Sequence, residues 1–164
     1  NNQLNILASC KKKFKFESRI IKLILMKRKI NAIWNGNGED GSGFLTAQSG
    51  AFNKMPYSFK TRFKNDDGIL GTNPEELIAA AHAGCFNMKL SFVLNESNFS
   101  PEELNTDAVL TFEDGKVVSI ELNLKAKVPS ISEDKFLELA EDAKQNCPIS
   151  GALNCDIILN ASLV

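Results

Sequence analysis

Cys10, Cys85, Cys147 and Cys155 are the side chains of this 164-residue sequence best able to act as nucleophiles. A thiol attacks as its anion, and at an ordinary pKa of about 8.5 little anion exists at neutral pH. The spacing of the four excludes several uses. No Cys-x-x-Cys occurs, the only histidine is His82, and the nearest pair, Cys147 and Cys155, is eight positions apart. A tetrahedral zinc site draws four closely grouped thiol or imidazole ligands, so no metal is expected. Four cysteines in a chain of this length are too sparse for a disulfide scaffold. Each is left with two readings, a packed structural thiol or a reactive one.

Cys85 falls inside a long apolar helix expected over residues 73–95. Burial raises a thiol pKa, so a reactive Cys85 needs a fixed cation beside it. Arg62 is the leading candidate, because a guanidinium stays charged when partly buried. Tyr57 to Phe63 alternates aromatic or Thr with Ser, Lys and Arg, which reads as a strand with Arg62 on the face opposite the aromatics. Its other reading is a solvated strand residue. Glu75 either caps the helix or holds Arg62. Ten residues separate Glu75 from Cys85, roughly 15 Å along a helix axis. An Arg–Glu pair beside Cys85 therefore requires Arg62 to span part of that gap, or a second copy of the chain to supply the pair.

Cys147 precedes Pro148 and would sit at the N-cap of a following turn, where backbone amides and the helix dipole favour a thiolate. It lies 62 positions from Cys85, so only the fold can join them. Cys155 opens an expected strand and reads as core. His82 reads as a packed helix residue.

The elements that must position these groups are legible in outline. Residues 29–34 read as a strand, the glycine-rich stretch 35–43 as a turn, and 43–49 with 51–53 as the returning strand. Thr72 and Asn73 both precede Pro74 as helix caps, and both Thr72-x-x-Glu75 and Asn73-x-x-Glu76 resemble capping boxes. From Leu77 to Leu94 the helix is apolar on nearly every side, as in the centre of a domain. Its Ala79, Ala80, Ala81, Ala83 and Gly84 would let neighbouring backbones approach. Residues 106–113 and 117–128 read as strands joined at Asp114-Gly115, a hairpin signal. Residues 132–146 form an amphipathic helix broken at Cys147-Pro148, a short helix follows through Leu153, and Cys155 to Leu163 is a final strand. The class is α+β, an antiparallel sheet packed on a central buried helix.

Net charge is −1 and 43% of residues are hydrophobic, so no global basic field exists to hold nucleic acid or an anionic membrane. No run approaches 18 consecutive apolar residues. Residues 1–25 are rich in Asn, Lys, Ile, Leu and Phe and are followed by Met26. They are expected to be a non-native or disordered N-terminal extension, with residues 26–164 forming one domain. A secretory signal competes, since Lys11 to Lys13 precede an apolar stretch. Lys15, Glu17, Arg19 and Lys22 interrupt it, however, and no small-x-small cleavage site follows. A short helix over 17–28 is conceivable there, and Cys10 is set aside with this tail. The expected setting is cytoplasmic.

Three segments resemble a known family. Pro56-Tyr57-Ser58-Phe59-Lys60-Thr61-Arg62-Phe63 is similar to a Pro-Tyr-Gly-Phe-x-Thr-Arg-Phe segment of the OsmC/Ohr family. Gly71-Thr72-Asn73-Pro74-Glu75-Glu76-Leu77-Ile78, followed by Ala80-Ala81-His82-Ala83-Gly84-Cys85-Phe86, resembles its signature helix. Asn146-Cys147-Pro148-Ile149-Ser150 resembles its second-cysteine motif. The resemblance runs from Met26 to the C-terminus and lies nearer the OsmC branch. Ser58 replaces a glycine, and Cys155 is outside the family pattern.

The resemblance implies an intertwined homodimer with sites at the subunit interface. It implies a thiol-dependent peroxidase in which Cys85 is peroxidatic, Cys147 resolving, Arg62 the activator and Glu75 its orienting partner. Substrates would be organic hydroperoxides and hydrogen peroxide. The reductant would be an external dithiol, a lipoylated or thioredoxin-like protein, with no bound cofactor. Phe59, Phe63 and Phe86 would either line an apolar substrate slot or simply pack. Two rivals stand beside this reading: a redox sensor built on the same scaffold, and a small-molecule-binding or structural protein with inert thiols.

Overall fold

A computed structural model describes residues 26–64 and 68–164. The expectations for residues 1–25, Cys10 included, lie outside them; residues 26–29 are irregular rather than helical.

The chain opens with a three-stranded antiparallel sheet: β1 (Ile30–Asn35), β2 (Ser42–Ala47) and β3 (Met55–Ser58), in that order. Residues 51–53 stay outside it. Gly43 faces Trp34 on one side and Tyr57 on the other, and those rings lie 5.2 Å apart. A Cβ at Gly43 would collide with the Ile33 carbonyl, so the strands approach there only because the side chain is missing. Every residue of β1 is exposed, Ile30, Ile33 and Trp34 among them.

The strand expected over Tyr57–Phe63 stops at Ser58, and Phe59–Phe63 is a one-turn helix, α1. Ser58 and Thr61 form a reciprocal cap: Ser58 Oγ accepts the Thr61 amide at 3.0 Å, and Thr61 Oγ1 accepts the Ser58 amide at 2.9 Å. Five residues of aromatic-polar alternation cannot distinguish a strand from one turn of helix, and the cap decides it. Thr61, buried, also donates its hydroxyl to the Thr72 carbonyl at 2.9 Å, which ties α1 to the start of the next helix.

That helix, α2 (Pro74–Glu96), is capped by Asn73, whose Oδ1 accepts the Glu76 amide at 2.8 Å. The Glu76 carboxylate turns to the Thr72 hydroxyl instead of closing the box, and Glu75 is released for another partner. His82, Phe86, Leu90, Val93 and Leu94 bury one face. The opposite stripe, with Ala81, Gly84, Met88 (65% exposed) and Phe92 (59%), is open to solvent in a single chain. The expected all-round burial is thus only half met within one copy. By length and composition alone α2 also suits a bilayer, with a window hydropathy of 1.4. Its buried face packs on β4 and the next helix instead.

β4 (Glu103–Glu113) and β5 (Lys116–Lys127) pair antiparallel around Asp114-Gly115, both at positive φ (49° and 80°) as the hairpin turn requires. α3 (Glu133–Gln145) and α4 (Pro148–Ala152) then carry the chain to β6 (Asp156–Leu163). β6 pairs with β5 in parallel, Ser119 opposite Asp156 through Ala126 opposite Leu163. The expected antiparallel pairing holds for β1–β2, β2–β3 and β4–β5, and β5–β6 departs from it. The helical crossover carries the chain from the C-terminal end of β5 back to the level of its N-terminal end, and a crossover of that kind produces a parallel pair.

The core lies between this sheet and the helices. Ile120, Leu122, Leu124 and Ala126 alternate inward from β5 and meet Phe86, Leu90 and Leu94 of α2 and Phe136, Ala140 and Ala143 of α3. Phe136 is fully buried at that junction. Phe136→Ala should cost about 3–5 kcal/mol, since the cavity cannot collapse between two helices and a sheet. Denaturant unfolding at fixed protein concentration measures it; a loss below about 1 kcal/mol would mean that α3 is not packed as described.

Candidate active site

Two one-turn pairs of side chains face each other where α2 meets α4. On α2, His82 and Cys85 are three residues apart and share a face; at the start of α4, Cys147 and Ser150 have the same spacing. Cys85 meets Cys147 closely enough that each thiol acts on the protonation of the other. Across 68 residues of sequence, His82 Nε2 lies 2.8 Å from Ser150 Oγ. Cys147 is 1% exposed, Cys85 is partly exposed, and both are free thiols. The expected meeting of Cys85 and Cys147 is therefore present in the fold.

The electrostatics of the two sulfurs differ. Burial pushes the Cys85 thiol up, and neighbouring Cys147 adds to the rise; the Ile149 amide opposes both. Burial also disfavours an anion at Cys147. There the Ser150 amide, the Cys85 thiol, the Ile149 amide and the Ser150 hydroxyl together outweigh it, and the pKa falls below the ordinary thiol value. Cys147 is the N-cap of α4 but makes no side-chain capping hydrogen bond, so these groups act on its sulfur as nearby dipoles. In a single chain an anion is thus favoured at Cys147 over Cys85. Cys155, raised by burial and then by Asp156, belongs to the core and is not part of the pair.

Arg62 and Glu75 also meet, but elsewhere. Arg62 Nε donates to Glu75 Oε2 at 3.0 Å and Nη2 donates to Oε1, a two-pronged ion pair. Arg62 was expected to face away from aromatic rings. Because it stands on a helix rather than a strand, its guanidinium instead lies 4.8 Å from the Phe63 ring and 5.3 Å from that of Phe112 at the hairpin tip. Phe59 stacks on Phe63 at 4.8 Å, and Phe86 is core. The pair sits at the N-terminal end of α2, roughly 15 Å along the axis from Cys85. Among the described residues no basic side chain acts on Cys85. One chain therefore brings the four expected residues together as two separate pairs.

Sequence reasoning set His82 aside and gave Ser150 no role. The signal was the repeated one-turn spacing, His82 to Cys85 and Cys147 to Ser150, which aligns both pairs once the two helices meet.

A partly exposed Cys85 thus lies against a buried Cys147 that favours the anion. The model of the family described as OsmC-like protein matches residues 64–161. Peroxiredoxin OsmC of Escherichia coli is 39% identical over 140 residues, covering 83% of this chain and 96% of that protein. Organic hydroperoxide resistance protein OhrB of Bacillus subtilis is 30% identical over 127 residues, 72% of this chain and 88% of its own. The crystal structure of that OhrB superposes with a TM-score of 0.62 at 27% identity, over 84% of this chain and 98% of the other. The chain belongs to the OsmC-like family.

Proposed function

We propose that this cysteine-based peroxidase reduces organic hydroperoxides and hydrogen peroxide through Cys85 and Cys147, with an external dithiol as reductant. The observation that carries the reading is the contact between a partly exposed Cys85 and a buried Cys147 that favours the anion. The names of the Escherichia coli and Bacillus subtilis relatives support a peroxide as substrate.

The Cys85 thiolate attacks the terminal peroxide oxygen. The O–O bond breaks, and alkoxide or hydroxide leaves and takes a proton. Cys85 is then a sulfenic acid. Cys147 attacks that sulfur, the S–S bond forms, and hydroxide departs as water on taking a second proton. Exchange with a dithiol, on a lipoylated or thioredoxin-like protein, returns both thiols. The electrons pass from thiol to peroxide, so the cycle calls for no metal, haem or flavin. A reducing cytoplasm would keep such a reductant charged.

The cation that Cys85 needs would come from a second copy. In a homodimer the Arg62–Glu75 pair of one chain would meet Cys85 of the other, Arg62 stabilising the thiolate and Glu75 orienting Arg62. The open stripe of Ala81, Gly84, Met88 and Phe92 on α2 and the exposed apolar residues of β1 support an intertwined assembly. A Cβ at Gly84 would meet nothing in one chain, which leaves room there for a partner's backbone.

Cys147→Ser tests the cycle. One equivalent of peroxide should be consumed rapidly; a second, consumed more slowly, should carry the Cys85 sulfenic acid to sulfinic acid, seen as +32 Da by mass spectrometry, and turnover with dihydrolipoamide should stop. Undiminished multiple turnover would remove Cys147 from the cycle. A redox sensor would instead stop after one oxidation even with both cysteines and the dithiol present, and inert thiols would not react at all.

A further inference from the structure

We propose that His82 and Ser150 form a positioning relay for Cys147: the imidazole fixes the Ser150 hydroxyl so that its proton points at the Cys147 sulfur. This rests on the peroxidase reading for its use, but not for its existence. Three observations carry it. His82 is completely buried, three residues from Cys85 on the same face of α2. Among the described residues its Nε2 has a single partner, Ser150 Oγ, at 2.8 Å, and its buried Nδ1 has none. Ser150 stands in the first turn of α4, three residues after the N-cap Cys147, and its amide and hydroxyl both lower the Cys147 thiol pKa.

The orphaned nitrogen fixes the direction of the chain. A buried N–H without an acceptor costs more than a bare lone pair, because a strong donor is left unpaired in a low-dielectric interior. The favoured tautomer of a neutral ring therefore carries its proton on Nε2, and Nδ1 is the lone pair. Burial lowers the His82 pKa, which keeps the ring neutral. Nε2–H then donates to Ser150 Oγ, and the single hydroxyl proton of Ser150 is free to turn toward sulfur. The reverse tautomer would take that proton for itself and leave Cys147 with amides alone. The titratable group facing Cys147 among the described residues is Cys85.

In the cycle this alignment matters at the second step. Cys147 thiolate forms the S–S bond to Cys85 as the Cys85 S–O bond breaks, and the departing hydroxide takes a proton to become water. No further oxidant or reductant enters. A buried sulfur whose anion is favoured by an oriented hydroxyl attacks faster than a neutral thiol, and this shortens the life of the sulfenic acid.

The test needs neither peroxide nor reductant, so its failure is separable from failure of the peroxidase reading. In full-length Cys85→Ser protein, thiolate absorbance near 240 nm is titrated with and without Cys147, and the difference reports Cys147 alone. Ser150→Ala should lower the anion fraction about tenfold at a fixed pH below the midpoint, the loss of one hydrogen bond to a charged group. His82→Leu should shift it in the same direction. His82→Gln should titrate like the parent, because its amide N–H can reach the Ser150 oxygen; it also guards against a folding defect in the leucine variant. An unchanged titration in Ser150→Ala would overturn the relay, and so would a His82→Gln curve displaced as far as that of His82→Leu.

Discussion

Cys85→Ser should abolish peroxide consumption, with turnover falling at least about 10⁴-fold to the rate of bulk thiols, while the fold and Cys147 persist. A hydroxyl of nearly the same volume replaces the thiol, so packing of α2 against β4 and α3 is undisturbed. What disappears is the only member of the pair with solvent access: Cys147 is 1% exposed and Cys85 is not closed off. Nucleophilic attack on a diffusing peroxide needs both an anion and a path, and in this chain the two properties sit on different sulfurs. Stopped-flow peroxide assays, with circular dichroism as the control for folding, decide the matter. Retained turnover in Cys85→Ser would transfer the attack to Cys147, whose lower pKa in an isolated chain is the one observation that favours it.

Arg62→Ala should slow the oxidation of Cys85 by roughly 10 to 10³-fold near pH 7 and move its pH–rate profile upward by about 1–3 units. That range is what an opposite charge within contact distance does to a thiol. Arg62→Lys should recover part of the loss, since charge returns without the two-pronged grip on Glu75. Because Arg62 and Cys85 are not neighbours in one chain, a mixing experiment is the sharper measure. Arg62→Ala chains mixed with Cys85→Ser chains should regain roughly a quarter of parent activity. Half of the dimers would be mixed, and each of these would hold one intact site. Absence of recovery on subunit exchange, with each variant correctly folded, would remove Arg62 from the partner's site.

The thiol pair was legible because cysteine chemistry is tied to residue type, and the segments around Cys85 and Cys147 carry specific motifs. The course of α2 was equally plain from Asn73, Pro74 and a long apolar run without breakers. Arg62 was singled out as a cation that keeps its charge, but it was placed on the wrong element. The Ser58–Thr61 cap that turns residues 59–63 into a helix hides inside an alternation that also suits a strand. The parallel β5–β6 pairing could not be read from either strand, since its direction is set by the crossover through α3 and α4. His82 and Ser150 were missed for a further reason. A buried histidine is usually only packed, and its contact with Ser150 spans 68 residues that no local pattern connects.

The β4–β5 ladder slips by one residue between Thr111 and Phe112, leaving Val118 as the extra residue on β5. Such an insertion sharpens local twist and re-aims what lies beyond it. Here the next side chain out is Phe112, whose ring lies against the Arg62 guanidinium. A lineage that lengthened or shortened this hairpin would therefore retune a distant cation without touching either sulfur. Were the proposed dimer to bring that cation to Cys85, the ribbon's end would be a dial for oxidant preference far from the sulfurs.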